Sequence, residues 1–163
     1  MALYWVVFAL VLAAAEMDAS SDESIVMSRV TGKFGKTLEG CRDEAKLTSD
    51  TIKGWEEVWD YDIDVDRREI GWAIICMSHK FSLLQDDNHV QHDNLLDYLK
   101  TFDNGDAVAA TVTNLFLDCQ KKHGHINDDC SRTAKLLVCF REEAKTVGIA
   151  PYVDLVKDVI QES

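Results

Sequence analysis

The stretch GWAIICMSHKFSLL, Gly71–Leu84, indicates the fold class of this chain. Apolar residues recur in it at steps of three and four positions, at Ala73, Ile74, Met77, Phe81 and Leu84. That spacing is typical of one face of an α-helix. Ile75 and Cys76 widen the apolar face, so we predict a central helix, Arg67–Leu84, that is buried on most sides.

Ser78 is a polar residue within this apolar helix. Its hydroxyl could lie at the floor of a ligand pocket, because such pockets combine apolar walls with one or two polar groups. A buried serine that is bonded to its own helix backbone explains the same residue. The helix alone leaves both interpretations open.

The start of the chain carries the twelve-residue apolar run YWVVFALVLAAA, Tyr4–Ala15. It is too short to span a bilayer, and small residues and an acid follow it. We predict a secretory signal peptide, residues 1–19, with cleavage after Ala19 and with Ala15 as the alternative site. The remaining residues, 20–163, have the length of one domain.

The chain is strongly acidic, with a formal net charge of −12 at pH 7. Loss of Glu16 and Asp18 with the signal peptide would leave −10. Such a surface repels phosphate groups, so we expect no nucleic-acid partner.

Five cysteines occur: Cys41, Cys76, Cys119, Cys130 and Cys139. In a secreted chain they predict disulfides, and the odd number leaves at least one thiol unpaired or available to another molecule. No two cysteines lie two to four positions apart, so we expect no zinc or other metal site. The chain also lacks GxSxG, HExxH and dinucleotide-binding motifs, so we predict neither an enzyme nor a cofactor.

Helical patterns cover the rest of the chain, and the single proline, Pro151, interrupts none of them. Tyr61–Asp66 alternates like a short strand, but no partner strand follows, so we predict a loop. The fold class is therefore all-α. The predicted helices are Ser21–Ala45 as one helix or a bent pair, Thr51–Trp59, Asp93–Phe102, Asp106–His123, one from Asp128 or Asp129 to about Val147, and a short amphipathic tail after Pro151.

The cysteine spacing and several motifs together resemble the insect odorant-binding proteins, in the moth pheromone-binding and general odorant-binding group. That family has six cysteines, with three residues between the second and third and eight between the fifth and sixth. Here eight residues separate Cys130 from Cys139, while Trp72 stands where the second cysteine would be. The motifs that carry the resemblance are FGKTLEGCRDE, GWAIICMSHKFSL, HDNLLDYLKTF, NDDCSR and GIAP.

The resemblance implies a compact, disulfide-stapled bundle of about six helices around a central hydrophobic cavity. It also implies the disulfides Cys41–Cys76 and Cys119–Cys139, which leave Cys130 unpaired, either buried and inert or available for a covalent dimer. Because Trp72 is far larger than half a cystine, we expect it to overpack its surroundings and to loosen the fold.

By the same resemblance, the protein is expected to be a secreted carrier, in sensillum lymph, of odorants or pheromones such as long-chain alcohols, aldehydes and acetates. It would deliver them to olfactory receptors at the neuron membrane, as a monomer or weak homodimer. The alternative is a secreted helical interaction or signalling protein without a small ligand. The expected ligand-binding residues are Phe34, Trp59, Ile74, Ser78, Phe116, Arg132 and Phe140, with Val58 and Tyr98 as weaker matches.

The C-terminal tail, residues 150–163, suggests acid-triggered release. Asp154, Asp158 and Glu162 are charged at neutral pH, and burial of these charges would be costly. Below about pH 5 they can protonate, and the tail could become helical and enter the cavity. Lys157 stays charged, so we predict an attenuated switch.

Overall fold

The computed structural model describes residues 22–162, and the predicted signal peptide lies outside the described residues. Helices account for the regular structure in this range, which contains no β-strand, so the predicted all-α class is confirmed. The α-helices are α1 (22–35), α2 (Ser49–Gly54), α3 (Arg68–Lys80), α4 (His92–Lys100), α5 (Asp106–His123), α6 (Asp129–Thr146) and α7 (Val153–Gln161); two short 3-10 turns, Glu39–Cys41 and Trp55–Glu57, lie between them.

Capping residues explain several helix starts. The Thr48 side chain accepts a hydrogen bond from the Thr51 amide at the start of α2. The Asp128 carboxylate accepts one from the Ser131 amide at the start of α6. These caps satisfy amide groups that have no partner within the helix.

Three predicted helices are shorter in the structure by at least three residues. The first ends at residue 35 and passes through turns to Glu39–Cys41, so it does not continue to Ala45. The helix predicted to reach Trp59 ends at Gly54. The central helix stops at Lys80, because Ser82 adopts a positive φ of 56° that turns the chain back.

Helix α3 is central to the bundle because it packs along α6, which also contacts α5. The disulfide Cys41–Cys76 joins the first 3-10 turn to α3, and Cys119–Cys139 joins α5 to α6. These are the same pairs that the resemblance implied. Among the described residues, Cys130 is the free cysteine, and it is buried.

Trp72 lies on the outside of α3 rather than in the core. Its side chain is 41% exposed, so the expected overpacking is not observed. The close contact is made instead by its neighbour: a Cβ at Gly71 would lie 1.8 Å from the carbonyl oxygen of Cys130 on α6. Burial raises the pKa of the Cys130 thiol, which favours the unreactive protonated form.

The C-terminal segment lies along α1. Small residues on α1 allow this segment to pack closely. The Ser28 hydroxyl accepts a hydrogen bond from the Tyr152 amide at 2.9 Å. Gly32 leaves room for Val159, because a Cβ at that position would lie 2.4 Å from the Val159 side chain. One turn later, Lys36 Nζ donates to the Glu162 carbonyl at 2.7 Å. Helix α7 is therefore already formed and docked on the outside of the bundle.

Candidate ligand-binding cavity

An apolar cavity of about 130 Å³ lies inside the bundle. Helices α1, α3, α4, α5 and α6 contribute to its wall, together with the segment around Trp55–Trp59 and the loop after α3. The residues that line it are Met27, Val30, Thr31, Phe34, Trp55, Val58, Trp59, Ile74, Ser78, Leu83, Leu84, Val90, Leu95, Tyr98, Leu99, Val112, Phe116, Thr133, Leu136, Leu137 and Phe140.

One part of the wall is a compact aromatic stack, which we call the stacked end. The rings of Phe116 and Phe140 lie 3.9 Å apart between centroids and are nearly parallel, at 12°. Trp59 meets Phe140 edge-on, with centroids 5.8 Å apart. The two phenylalanines present only carbon atoms, so this end suits a hydrocarbon group.

A second aromatic group, which we call the tyrosine end, runs from Trp55 through Phe34 and Phe81 to Tyr98; all but Phe81 line the cavity. Phe34 is 6.1 Å from Trp55 and 6.0 Å from Phe81 between ring centroids. Phe81 is 4.9 Å from Tyr98. Tyr98 also meets Phe102 edge-on at 5.3 Å, so its ring is held between two neighbours.

Polar groups are few in this wall, and several lack a protein partner. Ser78 is 6% exposed and its hydroxyl makes no hydrogen bond with the described residues. The hydrogen bond from the Ser78 hydroxyl to its own helix backbone, one of the two interpretations of this residue, is therefore not formed. The buried Tyr98 Oη and Trp55 Nε1 atoms likewise have no hydrogen-bond partner in the described part of the chain.

Of the residues expected to bind ligand, six line the cavity: Phe34, Trp59, Ile74, Ser78, Phe116 and Phe140. The weaker matches Val58 and Tyr98 also line it. Arg132 does not. It is absent from the cavity wall, and because it is 8% exposed it does not lie on a solvated surface either.

The Arg132 guanidinium is occupied by a polar cluster at the start of α6. It donates to the Ile126 carbonyl at 3.0 Å and to the Asp129 carboxylate at 2.6 Å. Asn88 donates to the other Asp129 oxygen at 2.8 Å, and its own carbonyl lies 2.7 Å from His79 Nε2. Hydrogen bonds from Asn88 and Arg132 lower the pKa of Asp129. The cluster fastens the loop after α3 to α6.

That loop contributes cavity residues that the sequence analysis missed. Leu83, Leu84 and Val90 line the cavity, and Leu84 pairs with Val90 in an isolated antiparallel bridge. The Val90 amide donates to Gln120 Oε1 on α5 at 2.6 Å. The available signal was Val90 itself, the apolar residue within the polar stretch 85–91.

The comparisons with known proteins agree with this architecture. Residues 24–143 match the PBP/GOBP family. The chain belongs to this family. General odorant-binding protein 2 of Antheraea pernyi is 45% identical over 145 residues, which are 89% of this chain and 91% of the relative. The protein of the same name from Heliothis virescens is 45% identical over 136 residues, or 83% and 84% of the two chains.

A solved structure, pheromone binding protein 3 of Epiphyas postvittana, is also similar. It aligns with a TM-score of 0.61 and 31% identity, covering 68% of this chain and 95% of that one. The family and these relatives are named for binding, not for catalysis. Between residues 22 and 162, no helix combines the length and the apolar character that a membrane crossing needs.

Proposed function

We propose that this protein is an extracellular carrier of small hydrophobic odorants or pheromones. The observation that supports this most directly is the apolar cavity, whose wall carries the buried Tyr98 hydroxyl, which has no hydrogen-bond partner among the described residues. Removal of a hydrocarbon chain from water supplies the affinity, at roughly 25 cal/mol per Å² of apolar surface. Membership of the PBP/GOBP family supports the same role.

The proposed ligands are long-chain alcohols, aldehydes and acetates. Their chains match the apolar wall, and the Ser78 hydroxyl, which makes no hydrogen bond with the described residues, is available to an oxygen-bearing head group. A hydroxyl can both donate and accept, so it does not by itself separate an alcohol from an aldehyde. Delivery to olfactory receptors, secretion into sensillum lymph and a monomeric or weakly dimeric state belong to the same proposal.

Displacement of a bound fluorescent probe tests this function. Dodecanol, dodecanal and dodecyl acetate should each displace the probe from one saturable site at pH 7. Thr133→Phe fills the cavity wall from α6 and should weaken probe binding at least tenfold. Thr146→Phe makes the same change at an exposed position of that helix and should not. No saturable binding, or equal binding by both variants, would contradict a ligand-carrying cavity.

The same assay separates the carrier from the alternative, a secreted helical interaction protein. An interaction protein would bind its partner through its surface, so cavity-filling Thr133→Phe would leave that binding intact. The family membership does not favour this alternative.

We extend the proposal to weaker ligand binding in acid, with the tail as the moving part. Asp154, Asp158 and Glu162 are exposed in the docked position. To enter the cavity, α7 would have to leave α1 and bury these groups, which is favourable only after protonation. Asp129 cannot supply this response near pH 5, because its pKa is already lowered below the usual range.

Deletion of residues 150–163 tests the tail. The intact protein should bind dodecanol more weakly at pH 5 than at pH 7, and the truncated protein should bind it equally at both. If truncation leaves the pH dependence unchanged, the tail is not the switch. Melting curves of both proteins at both pH values control for unfolding.

A further inference from the structure

We propose that Tyr98 anchors the ligand's polar head group, by donating a hydrogen bond from its phenol to the ligand oxygen. The ligand would then lie with its oxygen at the tyrosine end and its hydrocarbon chain toward the stacked end. This inference rests on the proposed carrier function, which it deepens by assigning an orientation.

The first argument is the unsatisfied Tyr98 hydroxyl. Its oxygen is buried and has no hydrogen-bond partner among the described residues, although Tyr98 lines the cavity. A buried hydroxyl without a partner destabilises a folded protein, so native structures contain few of them. A ligand oxygen in the cavity would remove that cost on binding.

The second argument is rigidity. Phe81 and Phe102 hold the Tyr98 ring on two sides, at centroid distances of 4.9 and 5.3 Å. The phenol therefore keeps one position before the ligand arrives, and less conformational freedom is lost on binding. Burial also raises the pKa of Tyr98, so the phenol keeps its proton and can donate it.

Trp55 offers the obvious competing donor, because its Nε1 is also buried and unpartnered among the described residues. However, that edge of the indole packs directly on α1: a Cβ at Gly35 would lie 2.4 Å from Trp55 Nε1. The helix backbone therefore covers the atom. The Tyr98 ring is held by other aromatic side chains instead, so Tyr98 is the better anchor.

A second, purely apolar part of the wall is the basis for the proposed direction of the ligand. The rings of Phe116 and Phe140 stack with their centroids 3.9 Å apart. Their side chains carry no hydrogen-bonding group, so they can make only apolar contacts with a ligand. A ligand oxygen placed there would lose its hydrogen bonds to water without replacement. The chain of the ligand, which has no such cost, fits that end.

Ser78 and Tyr98 line the same cavity, and Phe81 links them through packing. Phe81 follows Ser78 by three residues, near one turn of helix, and its ring contacts Tyr98. A carbonyl oxygen can accept two hydrogen bonds, so an aldehyde or acetate whose oxygen reaches both hydroxyls can bond to both. Tyr98 thus adds a second donor for ligands whose oxygen only accepts.

Tyr98→Phe tests the inference, because it removes one oxygen and keeps the ring. Probe displacement should be measured with dodecanal and with dodecane, which differ in the head group. We expect the variant to bind dodecanal about three- to tenfold more weakly, the effect of one hydrogen bond, and to bind dodecane as before. The free variant should melt no lower than the parent, because the lost hydroxyl has no partner among the described residues.

Tyr61→Phe is the matched control. The Tyr61 hydroxyl donates to the Arg141 carbonyl at 2.9 Å, away from the cavity wall, so this change should leave dodecanal affinity unaltered. Unchanged dodecanal affinity in Tyr98→Phe would overturn the inference, and so would an equal loss for dodecane. If the parent protein binds neither compound, the carrier function itself fails, which is a distinguishable result.

Discussion

The two halves of α3 are attached to the bundle in different ways. In the C-terminal half, which we call the stapled half, Cys76 is bonded covalently to Cys41. In the N-terminal half, the packed half, Gly71 lies against the Cys130 carbonyl and Trp72 faces outward. The comparison teaches that close backbone packing can hold a helix where the family has a covalent link.

A charged contact supports the packed half. Arg68 donates to both carboxylate oxygens of Asp128, at 2.9 to 3.2 Å, while Asp128 caps α6. The pair is exposed, so we expect it to contribute little by itself. We therefore expect the close Gly71 contact to contribute more to the stability of this end of α3 than the ion pair does.

The largest expected effect comes from Gly71→Ala. The added Cβ would lie 1.8 Å from the Cys130 oxygen and 3.1 Å from the Ala134 nitrogen, so the helices α3 and α6 would have to separate. We expect the free energy of unfolding to fall by about 3 kcal/mol, the upper end for overpacking, despite the better helix propensity of alanine. Urea denaturation measures this.

Gly54→Ala is the control for that change, because a Cβ there would meet nothing within 4 Å. It should leave stability unchanged or slightly higher. If both variants behave alike, the packed half does not depend on the Gly71 contact, and our comparison is wrong.

Trp72→Cys should convert the packed half into a second stapled half. By resemblance to the family, a cysteine at position 72 pairs with Cys130, and the adjacent Gly71 already touches the Cys130 carbonyl. We expect about 2–3 kcal/mol of added stability, within the usual range for a disulfide, because the exposed Trp72 ring contributes little packing.

Thiol titration of the unfolded protein checks the bond. The parent should give one thiol per chain, from Cys130, and Trp72→Cys should give none. Trp72→Ser should still give one and should show no gain in stability. Two thiols in Trp72→Cys would mean that the packed half holds the two positions too far apart to bond.

A smaller effect on stability is expected when the pH is lowered and Asp128 loses its charge in the Arg68–Asp128 pair. Hydrogen bonds from Arg68 and from the Ser131 amide lower the pKa of Asp128. The charged carboxylate therefore stabilises the fold above the ordinary pKa of about 4, and this contribution is lost as the pH falls through the lowered folded value. Asp128→Asn should melt slightly lower than the parent at pH 7.

That difference in melting temperature should narrow as the pH falls from 4 to 2. The asparagine side chain of this variant can still cap the helix, so the comparison isolates the charge. An equal deficit at pH 7 and pH 2 would show that the carboxylate's charge is not what stabilises this end of α6.

The sequence predicted the helices that are set by local signals and missed the features that depend on tertiary contacts. Helix α5 begins and ends where its polar and glycine neighbours indicate, and of the two predicted candidates for the start of α6, Asp129 begins the helix and Asp128 caps it. The expectation that Trp72 overpacks its surroundings is wrong because the size of a side chain does not determine which face of a helix carries it, and Trp72 lies on the exposed face. Positions 72 and 76 are one turn apart, and Cys76 faces the edge of the bundle toward Cys41.

The cavity residues also divide into those that helix faces predict and those that depend on tertiary contacts. Apolar residues on helix faces, such as Phe34 and Phe140, line it as the resemblance implied. Arg132 was misplaced because a long side chain at a helix start follows its partners, and those partners, Asp129 and the Ile126 carbonyl, are defined only by the fold. The loop residues Leu83 and Leu84 were missed because the predicted helix ran through them.

Gly35 has a consequence for how long a ligand stays bound. It is packed by Trp55, a residue of the cavity wall, and a Cβ there would also lie 3.2 Å from Ile160 of α7. Val156 is the fully buried residue of that short helix within the described chain, so α7 should detach at low cost in free energy. Helix α7 also contacts the 3-10 turn Trp55–Glu57, so each detachment removes a support of Trp55. We therefore expect the dissociation rate of a ligand to follow the opening frequency of α7, even for ligands of equal affinity.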